Sequence, residues 1–591
     1  MRIKKWLSIQ LEQNARGLLL VGIIIFNLLL WFVSSILAYI IAPQEYGSII
    51  NALWSSGITW MLEPGFYDPL LPRAIRIISI IVIITSMITF TGGIIGYVSN
   101  IFSSVIENAK RGKGKLYLSN HILILNWNNK ALELIADYCY DLDTTTVAIL
   151  SAFSKEEIET QINRKLYERR TIKKHLTIII RQGDVFSKSD LDGVCIEKAK
   201  SIIILADNLK TSTSFKEDIT VMKTLMLVSK LDLIPQQTII VEVKDQQTIA
   251  LINNQIANNT LLKEQILPLL PDELMGRLIA QTLLMPGLNK VYQEIFSFEG
   301  AEFYTLANQD VLDYSKHHNH AIPIFNRDKF LFVLSDSDKS LNSLREKPFE
   351  KYQEFIVNNL TRYQEKTVVI FGKNRKLEYI LDSLKMFELE NKVKINLTII
   401  DSNEAKTIEE YTKNIVKIDH ILILSKDNLD LSEYDADVLI TLLLTQDIAK
   451  KHKAEFVVEL LEPKHFEIAQ SYNVQNTIIS NEYVSRLITQ LSKNRNLYYL
   501  FNELLTYDSG EVGTETNEVY IYKAEDIIQG VYPFNFESVS EFVYSMLINS
   551  KNEHIPIGLI KNHKMRIFKG DLDKQEDLII ESDDYIVLIC K

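Results

Sequence analysis

Acidic side chains at recurring points carry most of the chemistry that this sequence can offer. Asp184, Asp207, Glu242 and Asp245 each stand at or just beyond the end of a short β-branched run. Together they would supply the hard oxygen ligands that Ca²⁺ accepts, six to eight at a time, in flexible geometry. Acids at such points also cap the helices that follow strands, so the set fits either one divalent-cation site or separate caps. No nucleophile motif and no acid–base pair falls in an identifiable site, which argues against an enzyme. The cluster His317, His318, His320 could ligate a metal, but it reads better as a solvated turn ahead of the apolar 321–324 piece. Cys139, Cys195 and Cys590 are far apart without CxxC spacing and read as buried thiols of a reducing compartment.

Phosphate binding is the other chemistry to test. A dinucleotide fold needs G-x-G-x-x-G at its first strand-to-helix turn, because glycines permit the tight turn and let the backbone approach pyrophosphate. Residues 126–131 read NWNNKA, with no glycine, and the next run ends at Ser151 where an acid would hold a ribose. A second stretch keeps Gly372 and ends its next run at Asp401, but Asn374 and Leu377 fill the other glycine positions. A nucleotide is therefore not expected, and an NAD-dependent enzyme is nearly excluded.

The elements that would position these residues form a repeat. Short β-branched runs at 121–126, 145–150, 176–180, 201–205 and 238–243 alternate with amphipathic segments, the signal for parallel βαβ units, and a long helical piece follows at 271–288. The pattern restarts with runs at 367–371, 396–400, 420–424 and 455–459 and a late helix at 481–493. Each half ends in a β-rich tail, at 302–333 and 519–590. This predicts an α/β protein with two tandem Rossmann-like domains, 119–345 and 366–591, each with a small appendage. The helical segments 216–230 and 271–288 hold more apolar residues than one sheet can cover, which predicts partner domains.

Ahead of these lie two long uncharged segments. Nothing between Arg16 and Glu45, or between Arg76 and Glu107, is charged. Each exceeds the roughly 20 residues a helix needs to cross a bilayer. The first is too long for a signal peptide's apolar core of about 7–15 residues. Lys110, Arg111, Lys113 and Lys115 follow the second, whereas the segment between them has no lysine or arginine from Ala42 to Pro72, so the positive-inside rule puts both termini in the cytoplasm. Residues 46–67 are too short to cross twice and too apolar for an ordinary loop. They read as a re-entrant pore segment with Met61, Leu62, Glu63, Pro64, Gly65 and Phe66 as filter, or as an interfacial loop anchored by Trp54 and Trp60. Gly92 and Gly93 interrupt the second span and fit a gating hinge or a close-packing site equally. The predicted order is a cytosolic segment 1–16, a pore domain 17–106 (helix 17–42, re-entrant loop 46–67, helix 74–106) and a linker 107–118. The net charge of −11 argues against nucleic acid and is compatible with cations.

Three stretches give the chain a family likeness: Asn51-Ala52-Leu53-Trp54, the NHILILNW of 120–127, and Pro286-Gly287-Leu288 leading into FEGAEFY at 298–304. The chain resembles the Castor and Pollux ion channels, whose cytosolic domains are of the RCK or TrkA-N kind that regulate potassium conductance. The resemblance implies a tetrameric cation channel with a gating ring of eight cytosolic domains, modulated by Ca²⁺. In archaeal calcium-gated relatives an acid after the third strand and an E-x-E at the fifth hold the ion. Asp184 and Glu242 match, but Lys244 replaces the second glutamate, and the filter differs from both the potassium and the plant versions. The expected function is thus a ligand-gated channel for potassium or calcium in the cell membrane, a homotetramer in lipid with Ca²⁺ as regulatory cofactor. The competing reading is a non-conducting, membrane-anchored sensor.

Overall fold

A computed structural model describes residues 2–590 except 63–68, 111–115, 142, 207–213, 258, 299, 359–364, 392, 402–404, 428, 430, 475, 508–515 and 570–576. The chain divides into two compact units, residues 1–114 and 115–591.

In the first unit the helix Arg2–Ile41 takes in most of the segment 1–16 as well as the first span. The stretches Leu20–Ile41 and Arg73–Glu107 have mean hydropathies of 2.5 and 2.2, and each is long enough to cross a membrane. Leu28, Leu29, Phe32 and Ile40 point outward, the pattern of a surface solvated by lipid or by neighbouring helices. Between the spans, Gly47 at φ +64 ends one short turn, and the hydroxyl of Ser48 accepts from Asn51 N at 3.3 Å to start the helix Ile49–Trp54. That helix runs on as a π-helix, Ser55–Leu62. Ala52, Trp60 and Met61 are buried against Ala38, Ala42, Ile75 and Val82.

The second unit is built on two parallel sheets. The first contains β1 (Ile122–Leu125), β2 (Thr145–Ser151), β3 (Leu176–Gln182), β4 (Ser201–Ile204), β5 (Thr238–Glu242) and β6 (Ile266–Leu269), in the order β3-β2-β1-β4-β5-β6. Its central strands read as unbroken apolar runs because both faces are covered: Ile122 and Ile124 face one hydrophobic core, Leu123 and Leu125 another. The appendage that follows is antiparallel, β7 (Glu302–Ala307), β8 (Ala321–Arg327) and β9 (Phe330–Ser335), in the order β7-β9-β8. The second sheet repeats the plan with Ile395–Ile400, Lys366–Phe371, His420–Ile423, Glu455–Leu460 and Asn476–Ile479 side by side, all parallel. Its appendage includes a four-stranded antiparallel sheet of Glu518–Lys523, Tyr585–Cys590, His554–Lys561 and Lys564–Ile567. Every predicted strand is present. The sixth strand of the first sheet and the fifth of the second were not foreseen.

The helix after each last strand leaves its own half. Pro271–Leu284 packs on Lys376–Asn391, the first helix of the second half, and Ser480–Lys493 packs on Asn129–Tyr138, the first helix of the first half. The approach is tight. A Cβ on Gly276 would stand 2.6 Å from Tyr379 Cβ and 3.0 Å from Lys376 O, while Ser485, at the matching position, donates to Lys130 O at 3.1 Å. The apolar surplus of this late helix, expected to need a partner domain, is covered by the other half of the chain; the helix Ser214–Val228 still leaves Ile219 and Met226 exposed.

Candidate functional site: paired clefts and the short helix between the spans

At the turn after β1, where a glycine loop would cradle phosphate, Asn128 caps the helix by accepting from Lys130 N and Ala131 N. The ammonium of Lys130 pairs with Glu242, which also accepts from Ala206 N at 3.1 Å and Asn128 Nδ2 at 3.4 Å. Glu242 is 1% exposed. Burial pushes its carboxyl up, but Lys130, with Lys244 and the Ala206 N–H, outweighs that and holds it below the ordinary range. The second half builds the same constellation. Lys376 Nζ lies 3.1 Å from Glu459 Oε1, with Asn374 Nδ2 at 3.4 Å and Tyr434 OH at 2.8 Å from Glu459 Oε2. In each half Asn-x-Lys stands where phosphate-binding glycines were sought, and its lysine is held by a glutamate from the sheet.

The four acids expected to hold Ca²⁺ take separate roles where they are described. Asp245 caps the helix Gln246–Ile256, accepting from Gln247 N at 2.8 Å. Asp184 accepts from Phe186 N at 2.9 Å within its own loop. Glu242 is held by Lys130, and Asp207 lies outside the described residues. Among the described residues the grouping with three ligand atoms within reach of one ion is Asp435, Glu462 and His465, which sequence reading did not pick out. Asp435 accepts from Leu461 N and Glu462 N, as Asp218 accepts from Lys244 N and Asp245 N in the first half. The histidine cluster forms local contacts: His317 Nδ1 lies 2.8 Å from Asp313 O, and His318 stacks on Tyr314 at 3.9 Å. Cys195 is half-buried rather than buried, and its thiol donates to Leu116 O at 3.0 Å.

In the membrane unit Glu63, Pro64, Gly65 and Phe66 fall outside the described residues, and Met61 and Leu62 end the π-helix. The segment leading to them is pinned deep. Trp31 Nε1 donates to Leu53 O at 2.7 Å, Ser35 bonds Ser56, and Ser86 Oγ donates to Trp60 O at 3.4 Å. Trp31 stands midway along Leu20–Ile41, about ten residues or ~15 Å from either end. An interfacial anchor would meet the spans at their ends. Gly92 has ordinary helical geometry just after the π-helical stretch Met87–Thr91, and a Cβ on Gly93 would come within 2.9 Å of Ile23 Cδ1. Gly93 thus lies close against Ile23 of the first helix.

The chain thus joins two apolar spans to tandem Rossmann-like halves. No family model matches the chain. It is 22% identical over 568 residues to the probable ion channel POLLUX of Arabidopsis thaliana, covering 81% of this chain and 66% of that protein. The ion channel CASTOR of Lotus japonicus is 21% identical over 594 residues, 85% of this chain and 67% of its own length. The calcium-gated potassium channel TvoK of Thermoplasma volcanium is 25% identical over 217 residues, 36% of this chain and 53% of TvoK. The chain spans 60–67% of the length of its Castor and Pollux relatives from Arabidopsis, rice and Lotus. Among solved structures the human SLO3 gating ring aligns with 80% of this chain and 99% of its own at a TM-score of 0.51 and 14% identity, a likeness of fold. The resemblance to the Castor and Pollux channels therefore extends over four fifths of the chain, and these relatives are ion channels rather than enzymes.

Proposed function

We propose that this chain is one subunit of a tetrameric cation channel of the cell membrane, with both termini in the cytoplasm. Residues 46–67 of each subunit line a shared pore, and the tandem α/β halves form a ring through which a ligand controls it. The observation that carries this reading is the depth of the short helix: the Leu53 carbonyl is bonded to Trp31 at the middle of the first span. Backbone that is not part of a spanning helix is tolerated there where protein buries it or it lines a watery cavity. One subunit cannot enclose a pore, and a ring of such segments can replace a cation's hydration shell with carbonyls and carboxylates. Met61, Leu62, Glu63, Pro64, Gly65 and Phe66 are the proposed filter, passing potassium, calcium or both, and Gly92 and Gly93 are the proposed hinge.

The proposed ligand is Ca²⁺, held by Asp184, Asp207, Glu242 and Asp245 at the carboxyl edge of the first sheet. TvoK, which matches part of the chain, is calcium-gated by name. Binding there requires Lys130 to leave Glu242. Reconstitution in a planar bilayer tests the channel: unitary current steps are expected, and a silent bilayer from a folded oligomer would turn the reading to a sensor. Asp184→Ala/Asp245→Ala, both outside the buried ion pair, is expected to weaken any calcium dependence of open probability; an unchanged response removes these acids from the site.

A further inference from the structure

Away from both clefts, a cavity of about 210 Å³ opens between the first half and the exchanged helix Ser480–Lys493 of the second. Asp141 and Asp143, from the turn before β2, face it together with Glu302 of β7. Lys493 pairs with Asp141, lies 3.3 Å from Asp143, and sits 5.2 Å over the Phe298 ring. The corner between carboxylates and an aromatic face therefore already holds an ammonium, the chain's own.

Gln490, one helical turn back from Lys493, is 2% exposed and lines the same cavity. Its Nε2 donates to Ile295 O at 3.3 Å, but its Oε1 is buried without a partner. An orphaned buried acceptor is destabilising, and a donor reaching it from the cavity would relieve that. Glu302 accepts from Tyr304 OH at 3.1 Å, and burial pushes its carboxyl up to about 8 against the pull of Lys493. Lys200 brings positive charge to the same walls. A single water needs about 10–15 Å³. The space is far larger than one ion requires, and it is lined by charges of both signs.

We propose that this cavity binds a small zwitterion of amino-acid size, its ammonium received by Asp143, Glu302 and Gln490 Oε1 and its carboxylate by Lys200. Because the walls come from both halves, occupancy couples to the packing of the exchanged helix.

The test uses the purified full chain in detergent, with each common amino acid added singly at millimolar concentration and thermal unfolding followed. At least one is expected to raise the midpoint by mass action, and Gln490→Met is expected to abolish that rise measured against its own ligand-free midpoint, since the variant loses the bond to Ile295 O together with the orphaned oxygen. Asp143→Asn, at a side chain 77% exposed and so tolerant of change, is expected to weaken binding about tenfold by calorimetric titration. The proposal is overturned if no amino acid shifts the midpoint, or if the shift survives in both variants. It is equally overturned if calcium or magnesium chloride alone gives a shift that both variants abolish, which would make this a metal site.

Discussion

The ammonium of Lys376, in the second half, lies 3.5 Å from the carboxylate of Asp272, which belongs to the exchanged helix of the first. Lys376 thus neutralises two acids at once, Asp272 and the fully buried Glu459 of its own sheet. Burial would lower its pKa, but Glu459, Tyr434 and Asp272 raise it well above the ordinary lysine value. One charge thus links the cleft to the exchange, with Arg375 3.4 Å from Asp272 beside it.

Removing that charge should be costly. Lys376→Met leaves Glu459 buried without a cation, which typically costs about 3–5 kcal/mol. Lys376→Met/Glu459→Leu should recover much of the loss, because the stranded carboxylate goes with it. Thermal unfolding in detergent checks both, and a single variant as stable as the parent would show that the pair contributes nothing.

A pH dependence follows from Asp137. Neither carboxylate oxygen has a hydrogen-bond partner, and burial pushes the group up to about 7, against the pull of Arg486 and Arg169 and with the repulsion of Glu482 and Glu133. With the folded pKa above the unfolded one near 4, the folded state holds the extra proton. Stability from this group is therefore full below about pH 4 and falls by at most about 1.4 kcal/mol per pH unit up to about 7. Asp137→Asn should raise the midpoint at pH 8 more than at pH 5; an equal gain at both pH values would refute the assignment.

In the membrane unit, Gly93→Ala should force Ile23 aside, whereas Gly92→Ala meets Met87 O only at 3.6 Å. If close packing is what Gly93 provides, Gly93→Ala lowers oligomer stability and Ile23→Ala restores it. A hinge predicts instead that both glycine variants alter gating and that Ile23→Ala rescues neither.

Glu63 offers a direct test of the pore. A ring of carboxylates near the mouth concentrates cations through a field screened over about 10 Å at 0.1 M salt and roughly 3 Å at 1 M. Glu63→Gln should lower conductance in dilute salt and change it little in concentrated salt. Currents matching the parent at both ionic strengths would move Glu63 away from the mouth.

Runs such as HILILN and TVVIF were legible as strands because parallel sheets covered on both faces require β-branched continuity. Ile266–Leu269 reads ILPL and Asn476–Ile479 reads NTII, each four residues with a proline or polar group, too short and mixed to stand out. Asp184 and Asp245 were visible as acids at strand ends, but a cap and a ligand have the same sequence. The matched Asn-x-Lys turns were seen only as missing glycines, since nothing local shows that Lys130 reaches Glu242 or Lys376 reaches Glu459. Gly287, noticed as part of a motif, proves to sit at φ +93 and to donate to Asn476 Oδ1 of the other half at 2.9 Å.

The exchange of late helices makes each half incomplete alone: residues of 115–345 without Ser480–Lys493 would expose the apolar side of Asn129–Tyr138, and the second half would likewise lose the cover of Pro271–Leu284. A lone copy of this unit closes by trading helices with a twin, so the chain has the form of a swapped homodimer spliced into one polypeptide. Splicing makes the encounter intramolecular, fixing a high effective concentration of each half for the other. It also frees the two clefts to diverge while the shared seam stays matched, which is how one chain could come to hold two kinds of cleft.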